Sequence, residues 1–267
     1  MVSSIVIGNA SIDVIEGFQD QPGGAVTYVS NALIKLDHKV RSISSFGSDY
    51  PKNVFDSKIK SDFRDSKETT KFKVSYKNSI RQMNVLSKGE KLSLGSLKIS
   101  KISEDMIFFV PILDELEVSD SKYILEKNKK LFSVSIPQGW MRNLNNTKVI
   151  NDFIILQNLP VFDLMFFSNE EIISANITKS ELLNFAKILV ITNGDKGSTI
   201  FTPRTTINIS SYKSQVVDSI GAGDIYAAVF ANLYYKTKNL EKAGDTASKI
   251  SSKSTELIGL NSIKKIL

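Results

Sequence analysis

The stretch VVDSIGAGDIYAAVFANLYY, Val216 to Tyr235, decides how the chain reads. Two valines lead into Asp218 and Ser219, and then into Gly221-Ala222-Gly223. A run with helical spacing follows: Ile225, Ala228, Val229, Ala231, Asn232, Tyr235. Glycines flanking an alanine let the backbone turn tightly and leave N–H groups pointing outward. A helix beginning there adds the positive end of its dipole, and together they make an anion site. Asp224 stands in the first helical turn, where a carboxylate is favourable as a plain helix-start charge. Beside an anion cradle it can also take a proton from a hydroxyl, while the cradle holds the phosphoryl group that the hydroxyl attacks.

DSIGAGDIY, Asp218 to Tyr226, resembles the C-terminal signature of the PfkB, or ribokinase-like, family of sugar and nucleoside kinases. That signature is Asp-Thr/Ser-x-Gly-Ala-Gly-Asp-x-Phe, and the chain departs from it only in Tyr226. The resemblance implies Asp224 as catalytic base. It also implies an anion hole of Gly221, Ala222 and Gly223, with Asp218 and Ser219 on the nucleotide side.

With 267 residues, 42% hydrophobic and 23% charged, the chain is long enough to bury one sizeable α/β core. No run of about twenty apolar residues offers a membrane span. The start MVSSIVIGNASIDVIEG lacks a basic segment before its apolar run and reads as a buried strand, not a signal peptide. Cysteine is absent and His38 is the only histidine, which argues against disulfides, a zinc site or a Ser-His triad. His38 is expected in a solvated helix-to-strand connection, and a cytoplasmic location fits best. The net charge of +6 is spread over scattered lysines without a basic-aromatic motif, so surface charge is the reading and nucleic-acid binding the rival.

Apolar runs at Ser4–Gly8, Val40–Phe46, Met106–Val110, Leu131–Ile136, Asp163–Phe167, Ile188–Thr192 and Ser198–Phe201 predict strands. Helical spacing predicts helices over Gly24–Leu36, Pro51–Ile59, Ser119–Asn128, Val149–Leu156, Lys179–Ala186 and Leu240–Leu257. Such alternation implies a doubly wound α/β fold, a mostly parallel sheet with helices on both faces. One kinase-sized domain over 1–267 is expected. Residues 69–94 alternate as antiparallel strands about a turn at Lys77-Asn78-Ser79, either a flap over the sheet edge or a plain edge hairpin.

The remaining motifs each allow a plain turn or surface reading, and the resemblance supplies a functional one. Gly8 to Asp13 and the Gly23-Gly24 pair opening the first helix resemble the family's sugar site, so Asp13, Gly23 and Gly24 are acceptor-binding candidates. The family's usual asparagine falls at Tyr28. Arg81 lies on the flap, and in IPQGWMRN Gln138 and Arg142 can touch acceptor or phosphate, with Ile136 where an archaeal-type branch has Asp. FFSNEEI resembles the family's Asn-x-x-Glu, which holds Mg²⁺ largely through water. Ser168 to Glu171 or Asn169 onward can be its register, and Glu171 is the favoured ligand. ITNGDKGS resembles the triphosphate-lining Thr-x-Gly-x-x-Gly, with Thr192, Gly194 and Gly197.

The resemblance therefore implies an ATP- and Mg²⁺-dependent kinase acting on a hydroxyl of a small sugar or cyclitol. A monovalent cation is a further option, and dimerisation through the flap strands is an arrangement it allows. A nucleoside acceptor, or a regulator that binds nucleotide or sugar without turnover, are the alternatives.

Overall fold

The computed structural model describes residues 1–15, 19–77, 80–94, 102–152 and 158–266. Nine strands form the main sheet. They are β1 (Ser3–Ile7), β4 (Lys39–Phe46), β5 (Lys60–Asp65), β8 (Met106–Phe109), β9 (Phe132–Ser135), β12 (Phe162–Ser168), β13 (Ala186–Thr192), β14 (Ser198–Phe201) and β15 (Thr206–Ile209). Their spatial order is β15-β14-β13-β12-β9-β8-β1-β4-β5. Every pair is parallel except β13/β14 and β14/β15. The chain leaves β1 towards β4 and β5, then crosses back to β8 and onward. The order thus reverses between β1 and β8, the point where open α/β sheets place their ligands.

Alternation along each strand feeds two cores. Val6, Phe108, Leu164 and Val190 point to one face, and Ile5, Ile7, Ile107, Phe109 and Leu189 to the other. Helices α1 (Ala25–Lys35), α6 (Ala222–Thr237) and α7 (Leu240–Ser254) cover the first face. Ile124 of α2 (Val118–Lys127), Trp140 of α3 (Gln138–Met141) and Leu182 of α5 (Lys179–Leu182) pack on the second. Helix α4 (Asn169–Ser174) starts on a capping box between Ser168 and Glu171, and α5 on one between Thr178 and Glu181. Helix α8 is Asn261–Ile266.

A second sheet of six strands lies over the C-terminal ends of the first. Its order is β10 (Arg142–Asn145), β11 (Lys148–Asn151), β7 (Ile80–Ser87), β6 (Thr70–Lys77), β2 (Ser11–Ile15) and β3 (Gln21–Gly23). The expected flap strands are its middle pair, and the rest comes from distant parts of the chain. The expected turn at 77–79 falls partly outside the described residues.

Several expectations fail. Val149 and Ile150 do not begin a helix: they sit in β11, paired with β10 and, at Lys148, with Asn84. Pro51–Ile59 gives only a short 3₁₀ turn, Lys52–Val54. Phe55 then turns into an aromatic cluster with Phe46, Tyr50 and Phe63, its ring 4.6 Å from Phe63, and that contact outweighs a second turn of helix. Helix α5 stops at Leu182 because β13 begins at Ala186. The helix expected over Leu240–Leu257 is α7, which ends at Ser254, and α8 follows beyond Gly259, whose φ is 52°. His38 is 4% exposed, not solvated, and is held by Ser4 Oγ at 2.8 Å and Asn232 Oδ1 at 2.9 Å.

Candidate active site

Two connected cavities meet at the turn before α6, the first of them beneath the second sheet. The first, about 240 Å³, is walled by β2, the start of α1, Phe72 and Met83 of the overlying strands, and the turn before α6. The second, about 870 Å³, runs from that turn along Gly194–Gly197 to the face of α7. Ser168, Glu170, Thr192, Ser219 and Gly223 line both, so the turn stands at their junction.

Gly221 caps α6 in the left-handed region, φ 76°. A Cβ there would also lie 2.3 Å from the Tyr28 ring, so both backbone and packing require glycine. A Cβ on Gly223 would meet nothing within 4 Å, since that carbon faces the open junction. The Ala222 N–H leans on Ser219 O at 3.3 Å, while among the described residues the N–H groups of Gly221 and Gly223 have no acceptor. They are the amides left for an anion, and Ala222, expected to share that task equally, is partly engaged. Asp224 lines the first cavity from the first turn of α6. Asp218 reaches neither cavity. It braces the turn from behind, accepting from Ile220 N and Gly259 N, each at 2.9 Å.

On the other wall, Asp13 is 6% exposed. Its Oδ2 lies 2.5 Å from where a Cβ on Gly23 would stand, so Gly23 makes room for the carboxylate without lining the cavity itself. Gly24, φ 89°, starts α1 and would clash with Asn9 O at 2.8 Å if it bore a Cβ. Tyr28 lines the cavity with its hydroxyl buried. Burial, aided by the carboxylates of Asp13, Asp218 and Asp224, holds its pKa well above the ordinary phenol value. Arg142 donates to Ile112 O at 2.9 Å and to Gln138 Oε1 at 2.6 Å, and lies over the Phe72 ring at 5.4 Å. Arg81 is on β7, and its side chain lies outside the described residues.

Glu171 lines the first cavity, but one oxygen accepts from Ser168 N at 2.8 Å to close the capping box. That box makes Ser168 the N-cap of α4 and Glu171 its third residue. Glu170, which the sequence reading passed over, faces both cavities. Among the described residues no three acidic or histidine side chains cluster tightly enough to cage a metal. Two glutamates with hard oxygen donors beside an anion cradle suit a cation held mostly by phosphate and water.

Thr192, Gly194, Gly197 and Ser219 all line the second cavity. Gly197, φ 87°, packs its bare carbon against Ile209 O, where a Cβ would come within 2.0 Å. Missed by the sequence reading were Ser248, Ser251, Ser252 and Thr255, whose spacing sets one polar stripe of α7 against this cavity. Tyr226, the departure from the signature, shares a 2.8 Å hydrogen bond with Ser198 Oγ, a partner that phenylalanine would lack.

Residues 153–266 match the family described as pfkB family carbohydrate kinase. A nucleoside kinase of Methanocaldococcus jannaschii is 35% identical over 100 residues, 34% of this chain and 32% of that protein. The matches thus span about a third of the length of the curated relatives. A pyrophosphate-dependent ribokinase-family kinase, solved with a pyrophosphate analogue and myo-inositol, superposes with TM-score 0.79 at 20% identity, covering 98% of this chain and 100% of that one. Arabidopsis thaliana ribokinase, solved with ribose and ATP, gives 0.67 at 17% identity over 100% and 99%. Among the described residues no helix is long and apolar enough to cross a membrane. Residues 153–266 carry a PfkB family domain, and the chain as a whole has the ribokinase-like α/β fold.

Proposed function

We propose that the chain transfers the γ-phosphoryl group of ATP to a hydroxyl of a small sugar or cyclitol. The observation that carries this is the junction: Asp224 and the open amides of Gly221 and Gly223 stand where a small side-chain-lined cavity meets a large one. In this reading the acceptor oxygen attacks the γ-phosphorus and its proton passes to Asp224. The bond to the bridging oxygen breaks, and ADP leaves. The two amides and the α6 dipole stabilise the charge on the transferring group.

Asp13, Gly24, Gln138 and Arg142 hold the acceptor, and the overlying strands exclude water that would otherwise hydrolyse the donor. Thr192, Gly194, Gly197 and Ser219 follow the donor phosphates, and the α7 serines reach towards its base. Glu170 and Glu171 would hold Mg²⁺ through water, and the ion, when bound, neutralises phosphate charge. A cytoplasmic location follows from the need for ATP.

The first cavity, at about 240 Å³, favours a sugar or cyclitol over a nucleoside, although the curated relative acts on nucleosides. The test is product release from purified protein across sugars, inositols and nucleosides, with ATP and pyrophosphate as alternative donors. Phosphorylation of a sugar or inositol by ATP supports the reading. Tight nucleotide binding without transfer to any of them would favour a regulator instead.

A further inference from the structure

Glu115 sits where the main sheet reverses its order, between the ends of β1 and β8, and is 2% exposed. Its carboxylate accepts from Asn9 N at 3.0 Å, from Ile112 N at 2.8 Å and from Leu113 N at 2.7 Å. Among the described residues no lysine or arginine pairs with it. Burial raises its pKa from the ordinary carboxylate value, against the pull of those N–H groups. A buried carboxylate without a cation is costly to keep, and the three backbone N–H groups that donate to it offset that cost. What it provides is geometry.

Both segments it grips lead directly to the acceptor cavity. From Asn9 the chain runs four residues to Asp13. The Asn9 side chain ties the same loop to Ser45 N at 3.0 Å and to Glu90 O at 2.8 Å. On the other side, the Ile112 carbonyl receives Arg142, which in turn donates to Gln138. Gly139 backs onto that peptide so closely that a Cβ would lie 2.3 Å from Ile112 N.

We propose that Glu115 is a positioning residue for the acceptor: its carboxylate joins the Asn9 and Ile112 loops and so sets Asp13 and Arg142 in one cavity. Its substrate readout rests on the phosphotransfer reading; its effect on the loops does not.

The test compares the wild type with Glu115→Gln and the milder Glu115→Asp. In Glu115→Gln an amide NH₂ meets a backbone N–H, and the acceptor KM should rise roughly tenfold or more while the donor KM moves less than about twofold. Glu115→Asp should recover part of that loss. In hydrogen exchange, the Asn9, Ile112 and Leu113 amides should open faster while β8 and β12 keep their protection. A residue needed only for folding would lower the active fraction without splitting the two KM values, and would speed all amides together. That pattern overturns the proposal, as would failure of both variants to fold. Should the wild type phosphorylate nothing, the phosphotransfer reading falls on its own. The exchange experiment then decides: local opening supports the loop clamp, and uniform or absent change refutes it.

Discussion

The two cavities are built from different material. The smaller is walled by charged and ringed side chains, Asp13, Arg142, Phe72 and Tyr28, set by three strands of the second sheet and by α1. The larger is walled mostly by glycines, hydroxyls and backbone around Thr192–Gly197 and the α7 face. Side chains in fixed poses discriminate between small molecules, because an unmatched buried polar group is costly. Backbone amides and serines bind phosphate of many kinds, because the groups they read are common to all donors. Specificity should therefore sit on the acceptor side and chemistry at the junction.

The sharpest way to break this division is Asp224→Asn, which should lower kcat by roughly a hundredfold or more with the donor Kd nearly unchanged. Steady-state rates and donor titration test it, and near-normal turnover would remove Asp224 from the chemistry. Next comes Arg142→Met, which keeps the stem and removes the guanidinium donors. A charged hydrogen bond is worth about 1.5–3 kcal/mol, so acceptor kcat/KM should fall roughly ten- to a hundredfold. An equal rise in donor KM would show that the division is false.

A pair of glycines sharpens the comparison further. Gly221→Ala should cost about 2–4 kcal/mol in denaturant unfolding, from its positive φ and the Tyr28 ring. Gly223→Ala should leave stability within about 1 kcal/mol and instead raise the donor KM, since its Cβ would enter the junction. Equal stability losses would contradict the packing described.

The smallest expected effect is away from both cavities. Burial lowers the His38 pKa, so the unfolded chain binds the proton first as pH falls. The stability tied to neutral His38 is complete above about pH 6.5 and is lost below it, by at most about 1.4 kcal/mol per pH unit. Denaturation midpoints of the wild type and His38→Gln at pH 7.5 and 5.5 should differ more at the higher pH.

The sequence made the junction legible because Gly221, Gly223 and Asp224 are contiguous and their chemistry follows from local geometry. The parallel sheet was legible for a similar reason, since Ile5–Ile7 and Met106–Phe109 are apolar on both faces. The second sheet was not. Its strands come from three separate parts of the chain, and β10 and β11 carry little hydrophobic signal of their own. Val149 and Ile150 allow helix or strand by spacing, and only pairing with β10 decides between them. Glu115 and His38 were invisible as functional or buried groups because their partners lie up to 194 residues away. Asp218 was placed with the nucleotide from the signature alone, whereas its hydrogen bonds to Ile220 and Gly259 make it a strut.

The contact between Tyr28 and Gly221 has an evolutionary consequence. The ring fills the hollow that a side chain at 221 would need, so neither position can drift alone. A descendant that trades the ring for something slimmer inherits a gap under its phosphate loop. One that acquires bulk at 221 must shed the ring in step. Covariation of these two sites across related genomes would be the historical trace of that coupling.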